Sequence, residues 1–216
     1  MKDKLKVKAV AFDRDGVIIN TEGVIIDSAR EAFKHLGFDL LEEDIPHIVG
    51  HSYDVYKDYF LKKWDFNADE FRKISRDLFY LNLDQAEFFE GTLKLIKALH
   101  TKEIPIAITT SAPIEGTKLI LSRVGIENIF NVFVTKEDVK NMKPDPEPYI
   151  ITAKKLGIEP EFCVAIEDTA LGVESAKKAG MKCIAIPTEF TRNNDFTLAD
   201  VVVQSAHEIE DILEFI

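Results

Sequence analysis

Asp13 and Asp15 stand one residue apart at the end of an apolar run, Val7-Lys8-Ala9-Val10-Ala11-Phe12, and Gly16 follows at once. A run that empties into Asp-x-Asp-Gly reads as a parallel strand entering a tight turn. The C-terminal ends of strands are where open α/β sheets place their chemistry. Carboxylates two positions apart in an extended segment point the same way. A divalent cation is the simplest group to offset their repulsion. Asp and Gly also suit a turn for backbone reasons alone, so this motif by itself admits both readings.

Three further segments change the balance, and each is expected just after a strand. Thr109-Thr110-Ser111 closes the apolar run 104–110; its hydroxyls, with the N–H groups of a following helix, suit phosphate oxygens, or else cap that helix. Lys143-Pro144-Asp145-Pro146 places a lysine before proline, which holds it extended, with its charge available to a phosphoryl group or to solvent. Ile166-Glu167-Asp168-Thr169 closes the run 162–167 and offers two more carboxylates, for a cation or for a helix N-cap. Taken together, a carboxylate pair, hydroxyls, a lysine and a second carboxylate pair at strand tips make a magnesium-dependent phosphoryl-transfer site. All the candidate ligands are oxygens, which favours Mg²⁺ over zinc or copper.

The elements that must position these groups follow from periodicity. After residue 90, amphipathic stretches at 92–101, 114–124, 147–156, 171–179 and 207–215 predict helices. Short apolar runs at 104–110, 131–135, 162–167, 182–186 and 200–203 predict strands between them. Strands buried on both faces and separated by helices describe a Rossmann-like α/β core, a parallel sheet with helices on both sides. Residues 20–87 differ: they predict helices at 28–37, 54–64 and 68–83, and no strand. They hold eleven of the 21 aromatic residues, and fifteen acidic residues against eight basic ones. This block is expected to be an inserted helical cap domain over the strand ends (20–87), with 1–19 and 88–216 forming the catalytic core. Its aromatics are expected to be its own small core rather than a ligand cage.

Composition bounds the partners. A net charge of −11 argues against nucleic acid or an anionic membrane, though a bound cation still allows an anionic substrate. No apolar run approaches the ~18 residues of a membrane span, and the basic N-terminus lacks the long apolar segment of a signal peptide. Cys163 and Cys183 lack metal-site spacing and are expected to be buried, reduced thiols of a cytoplasmic protein. A monomer or small homo-oligomer is expected.

The motifs Phe12-Asp13-Arg14-Asp15-Gly16-Val17, Thr110-Ser111, Lys143-Pro144-Asp145-Pro146 and Glu167-Asp168-Thr169-Ala170-Leu171-Gly172-Val173 resemble the four motifs of the haloacid dehalogenase-like hydrolases. More narrowly, the chain resembles the branch with a small helical cap that contains sugar-phosphate phosphatases, phosphoglycolate phosphatases and β-phosphoglucomutase. The resemblance implies Asp13 as nucleophile and Asp15 as general acid/base. It implies that Mg²⁺ is held by Asp13, the Asp15 main-chain carbonyl and Asp168, with Glu167 beside them, and that Thr110, Ser111 and Lys143 bind the phosphoryl group. The chain departs from the family pattern at Asn20-Thr21, at Gly50-His51 and at Glu90-Gly91, positions that bear on substrate choice rather than on the core chemistry.

The implied activity is hydrolysis of a small phosphate monoester through an aspartyl-phosphate. A phosphohexomutase is the nearest rival, but β-phosphoglucomutases carry a cap histidine where this chain has Ile25, which cannot move a proton. A phospho-Asp signalling receiver is a rival from another class. Receivers are shorter, lack the helical insertion and carry the acceptor Asp on a later strand. A dehalogenase has no use for the acid Asp15.

Overall fold

In the computed structural model, which describes residues 4–51 and 53–216, the chain runs β1 (Leu5–Val7), β2 (Ala9–Phe12), β3 (Ile19–Asn20), α1 (Glu22–His35), α2 (Tyr53–Lys63), α3 (Ala68–Leu81), β4 (Glu87–Phe88), α4 (Glu90–Thr101), β5 (Ile106–Thr109), α5 (Ile114–Ser122), β6 (Val132–Val134), α6 (Glu147–Leu156), β7 (Cys163–Glu167), α7 (Ala170–Lys178), β8 (Lys182–Ala185), β9 (Val201–Val202), α8 (Ile209–Ile212) and β10 (Leu213–Phe215). It divides into two compact units: Met1–Ile18 with Phe88–Ile216, and Ile19–Glu87.

The first unit is a doubly wound α/β domain. Its six-stranded sheet has the order β6-β5-β2-β7-β8-β9, with every neighbour parallel. Side-chain alternation along each strand sorts the residues by size. Val10, Phe12, Ile106, Ile108, Val164, Ile166 and Ile184 fill one apolar layer. Ala9, Ala11, Ala107, Cys163, Ala165, Cys183 and Ala185 line the other. The small residues on that second face admit a wholly buried tyrosine, Tyr149 of α6. Both cysteines are buried and unbridged.

The chain visits β5 and β6 on one side of β2, then crosses to β7, β8 and β9 on the other. The C-terminal tip of β2 is therefore a topological switch point, where the crossovers part and leave a crevice. The register places Phe12 beside both Ile108 and Ile166, so the next residues, Thr109, Asp13 and Glu167, form one row along the strand ends.

The C-terminal segment departs from its expected helix at 207–215. Only Ile209–Ile212 is α-helical, and Leu213–Phe215 is a strand paired in parallel with β1, with Leu213 opposite Leu5. Apolar residues at 209, 212, 213 and 216 fit a helical period, but Leu213, Glu214 and Phe215 also alternate. The unpaired edge of β1, distant in sequence, decides between them, and Ile216 adds a main-chain bond to Val7.

The second unit packs α1, α2 and α3 around Phe33, whose ring lies 4.1–5.4 Å from those of Phe60, Trp64, Phe66 and Phe71. Nine of the eleven aromatic residues thus belong to the core of this unit, as expected. α1 begins at Glu22, six residues before the predicted start. Gly23 and the β-branched run Val24-Ile25-Ile26 are weak helix formers, but burial of Val24 and Ile26 outweighs that preference. Among the described residues of 20–87, the strand positions are Asn20 and Glu87, from β3 and β4, which pair in a ladder of their own.

Candidate active site

The first unit brings three of the four sequence-predicted carboxylates, Asp13, Glu167 and Asp168, together with Lys143 at the tip of β2. Asp13 leaves the strand with its N–H bonded to the Ile166 carbonyl. Lys143 donates to three adjacent strand ends: Asp13 Oδ1 at 2.9 Å, the Thr109 carbonyl at 3.0 Å and Glu167 Oε1 at 2.6 Å. Asp13, Glu167 and Asp168 each turn a carboxylate oxygen into a group whose members lie within 4.8 Å of one another. Three carboxylates face one ammonium, so a divalent cation would balance the group.

The surroundings fit a cation. Gly16, at φ +75°, lets the turn pass so close to Asp168 that a Cβ there would lie 2.0 Å from Oδ2. A Cβ on Gly172 would lie equally close to the Glu167 carboxylate. These glycines are required by close approach, and they leave both carboxylates room at the cluster. Burial pushes the Asp13 carboxyl up to about 7, against the pull of Lys143, with the charges of Glu167 and Asp15 adding to the rise. A cation would offset that penalty. Burial alone would lower Lys143, but Asp13 and Glu167 outweigh it and hold the ammonium charged.

The competing structural roles are resolved segment by segment. Thr169, not a carboxylate, caps α7 by accepting the Gly172 N–H at 3.0 Å. At α5 the first N–H goes to Glu137 Oε2 from the neighbouring loop. Thr110 is anchored through its main-chain N–H to the Val134 carbonyl, and its hydroxyl accepts the Ala112 N–H at 3.2 Å. It follows Thr109 directly at the strand tip, with Ser111 next. Lys143 corrects an expectation, because it does not follow a strand end. It sits nine residues beyond β6, in a loop pinned by Glu147, which accepts from Lys140 and Asn141, and by Ser175, which donates to the Asp145 carbonyl. The Asp15 carboxylate is not in the three-carboxylate group; Arg14 holds it, through Nη2 to Oδ2 at 2.6 Å.

Two residues escaped sequence reasoning. Tyr149 donates its hydroxyl to Glu167 Oε1 at 2.6 Å, on the oxygen that Lys143 also reaches. Burial first, then Glu167, raise the Tyr149 hydroxyl well above its ordinary range, so it remains a donor. Nothing in the pattern of α6 separates it from a core aromatic. Arg14 was visible as a cation set between two aspartates, a signal in the motif itself.

A model of the haloacid dehalogenase-like hydrolases matches residues 10–186. The chain belongs to this family. Among family relatives, the Bacillus subtilis protein YhcW is 29% identical over 209 residues, 94% of each chain. The phosphorylated carbohydrates phosphatase of Thermotoga maritima is 29% identical over 181 residues, 82% of this chain and 84% of its own length. The crystal structure of CbbY from Rhodobacter sphaeroides in complex with phosphate matches with a TM-score of 0.85 at 24% identity, covering 94% of this chain and 96% of that one. At that identity the last likeness concerns the fold.

Proposed function

We propose that this haloacid dehalogenase-like hydrolase is a Mg²⁺-dependent phosphatase of small phosphate monoesters, sugar phosphates or similar metabolites, working through an aspartyl-phosphate on Asp13. The observation that carries the reading is the ammonium of Lys143 bound to Asp13 and Glu167 inside a buried group of three carboxylates. A phosphatase relative at 29% identity supports the substrate class.

Lys143, with Thr110 and Ser111, holds the phosphoryl oxygens. Asp13, Asp168 and the Asp15 carbonyl, with Glu167 beside them, would hold Mg²⁺, which would neutralise phosphate charge. The Asp13 carboxylate attacks phosphorus, and the bond to the ester oxygen breaks. Asp15, protonated at this step, gives its proton to the departing alkoxide. It then takes a proton from the water that cleaves the aspartyl-phosphate, returning Asp13 and releasing inorganic phosphate. Tyr149 fixes Glu167, and Glu167 fixes Lys143.

The test is a turnover screen of phosphorylated metabolites with Mg²⁺, run on the wild type and on Asp13→Asn. Phosphate release by the wild type and its loss in the folded Asp13→Asn variant are expected, because an amide cannot form the acyl-phosphate. A phosphoenzyme trapped on any residue other than Asp13 overturns the mechanism. With Ile25 where mutases carry histidine, no conversion of β-glucose 1-phosphate to glucose 6-phosphate is expected. Isomerisation faster than phosphate release would make the protein a mutase.

A further inference from the structure

Arg14 is the one member of the Asp13-Arg14-Asp15 motif that the proposed mechanism leaves without work. It is not a solvated surface residue, being only 5% exposed. Two of its donors converge on a single oxygen: Nε at 3.1 Å and Nη2 at 2.6 Å both reach Asp15 Oδ2. A third, Nη1, donates to the Thr117 hydroxyl at 3.1 Å. Thr117 belongs to α5, is wholly buried, and is itself anchored by donating to the Pro113 carbonyl at 2.8 Å. A guanidinium is a rigid planar fork. Fastened to a helix at one end and placing two charge-assisted bonds on one carboxylate oxygen at the other, it fixes both the position and the rotation of that carboxylate.

We propose that Arg14 is a positioning residue for Asp15, its two donors on Oδ2 fixing the carboxyl group that gives and takes the catalytic proton. The inference rests on the phosphatase reading above and adds to it what positions the acid. In the first step the proton on the Asp15 carboxyl passes to the ester oxygen as the bond from phosphorus to that oxygen breaks and the bond from Asp13 to phosphorus forms. In the second, water bonds to phosphorus, the bond to Asp13 breaks, and a water proton returns to the Asp15 carboxylate. A carboxyl held in one orientation loses little orientational entropy at either transfer.

Leaving groups separate aiming from mere structural support. p-Nitrophenolate departs without a proton, whereas benzyl alkoxide needs one, and the two esters are of similar size. The value of kcat/KM reports only the steps through the first phosphoryl transfer. Arg14→Gln is expected to lower kcat/KM for benzyl phosphate about 30-fold and for p-nitrophenyl phosphate by about threefold or less, a fraction of the range that general acid catalysis spans. Arg14→Lys keeps the charge but cannot place two donors on Oδ2, so it is expected to show the same split. Thr117→Val keeps Arg14 and removes only its anchor. It is expected to steepen the leaving-group dependence in the same direction by about threefold, and it serves should the Arg14 variants fail to fold. Equal loss on both esters, full recovery in Arg14→Lys, or an unchanged ratio in Thr117→Val would overturn the proposal while leaving the phosphatase reading intact. Absence of Asp13-dependent hydrolysis of either ester in the wild type would instead remove that reading, and this inference with it.

Discussion

At the scale of single residues, the site is built by close approach. Gly172 occupies the first turn of α7, where alanine would ordinarily improve a helix by ~1 kcal/mol. Here the added Cβ would lie 2.0 Å from the Glu167 carboxyl carbon. Glu167 cannot step aside cheaply, because Lys143 and Tyr149 both hold its Oε1. The clash therefore outweighs the propensity. Gly172→Ala is expected to lower stability by about 1–3 kcal/mol, read from the urea midpoint, and to cut kcat/KM for any ester the wild type hydrolyses. An unchanged midpoint would mean that the Glu167–Lys143–Tyr149 arrangement is looser than its distances imply.

At the scale of elements, the helical unit carries a polar centre of its own. Asp44 is fully buried and accepts from Lys63 Nζ on α2 at 2.5 Å and 2.7 Å, from the Tyr59 hydroxyl at 3.1 Å and from the Leu41 N–H at 3.0 Å. Burial would raise its carboxyl, but the bonds from Lys63, Leu41 and Tyr59, and the Lys63 charge, outweigh it and hold it below the ordinary 3.8. A carboxyl depressed in the folded state stabilises at pH values above its unfolded value, and that contribution is lost as pH falls through the folded one. Asp44→Asn is therefore expected to destabilise the protein by roughly 2–3 kcal/mol at neutral pH. The gap between variant and wild type should close as pH drops below 3.8. Denaturation midpoints measured across that range check the sign. A gap that widened on acidification would show the carboxylate to be strained rather than satisfied.

At the scale of the whole molecule, a net charge of −11 coexists with a site proposed to take an anion. A cation held by the three carboxylates, together with Lys143, would reconcile the two. Among the described residues, no helix is long and apolar enough to cross a membrane. If the three-carboxylate group holds Mg²⁺ in the native state alone, the ion must stabilise the fold by mass action, about 2.7 kcal/mol at a hundredfold excess over its Kd. Added Mg²⁺ is expected to raise Tm, chelator to lower it and stop turnover, and Asp168→Asn to blunt the Mg²⁺ increment. Equal melting of the wild type with Mg²⁺ and with chelator, or full activity in chelator, would refute the metal assignment.

Local pattern by itself determined the parallel α/β core, most of its helices and the identity of the clustering groups. Alternating burial and strand-end polarity are properties of consecutive residues, and Asp13, Glu167 and Thr109 terminate their strands in the chain itself. Tertiary structure decided the rest. Leu213–Phe215 became a strand because β1 offered it an edge from the other end of the chain. Lys143 reaches the site from a loop that Glu147 and Ser175 hold in place, not from a strand tip. Tyr149 became part of the site because alanines and cysteines on one sheet face let α6 approach closely enough for its hydroxyl to meet Glu167. Glu147 apart, the deciding partners lie far away in sequence, and no local period records them.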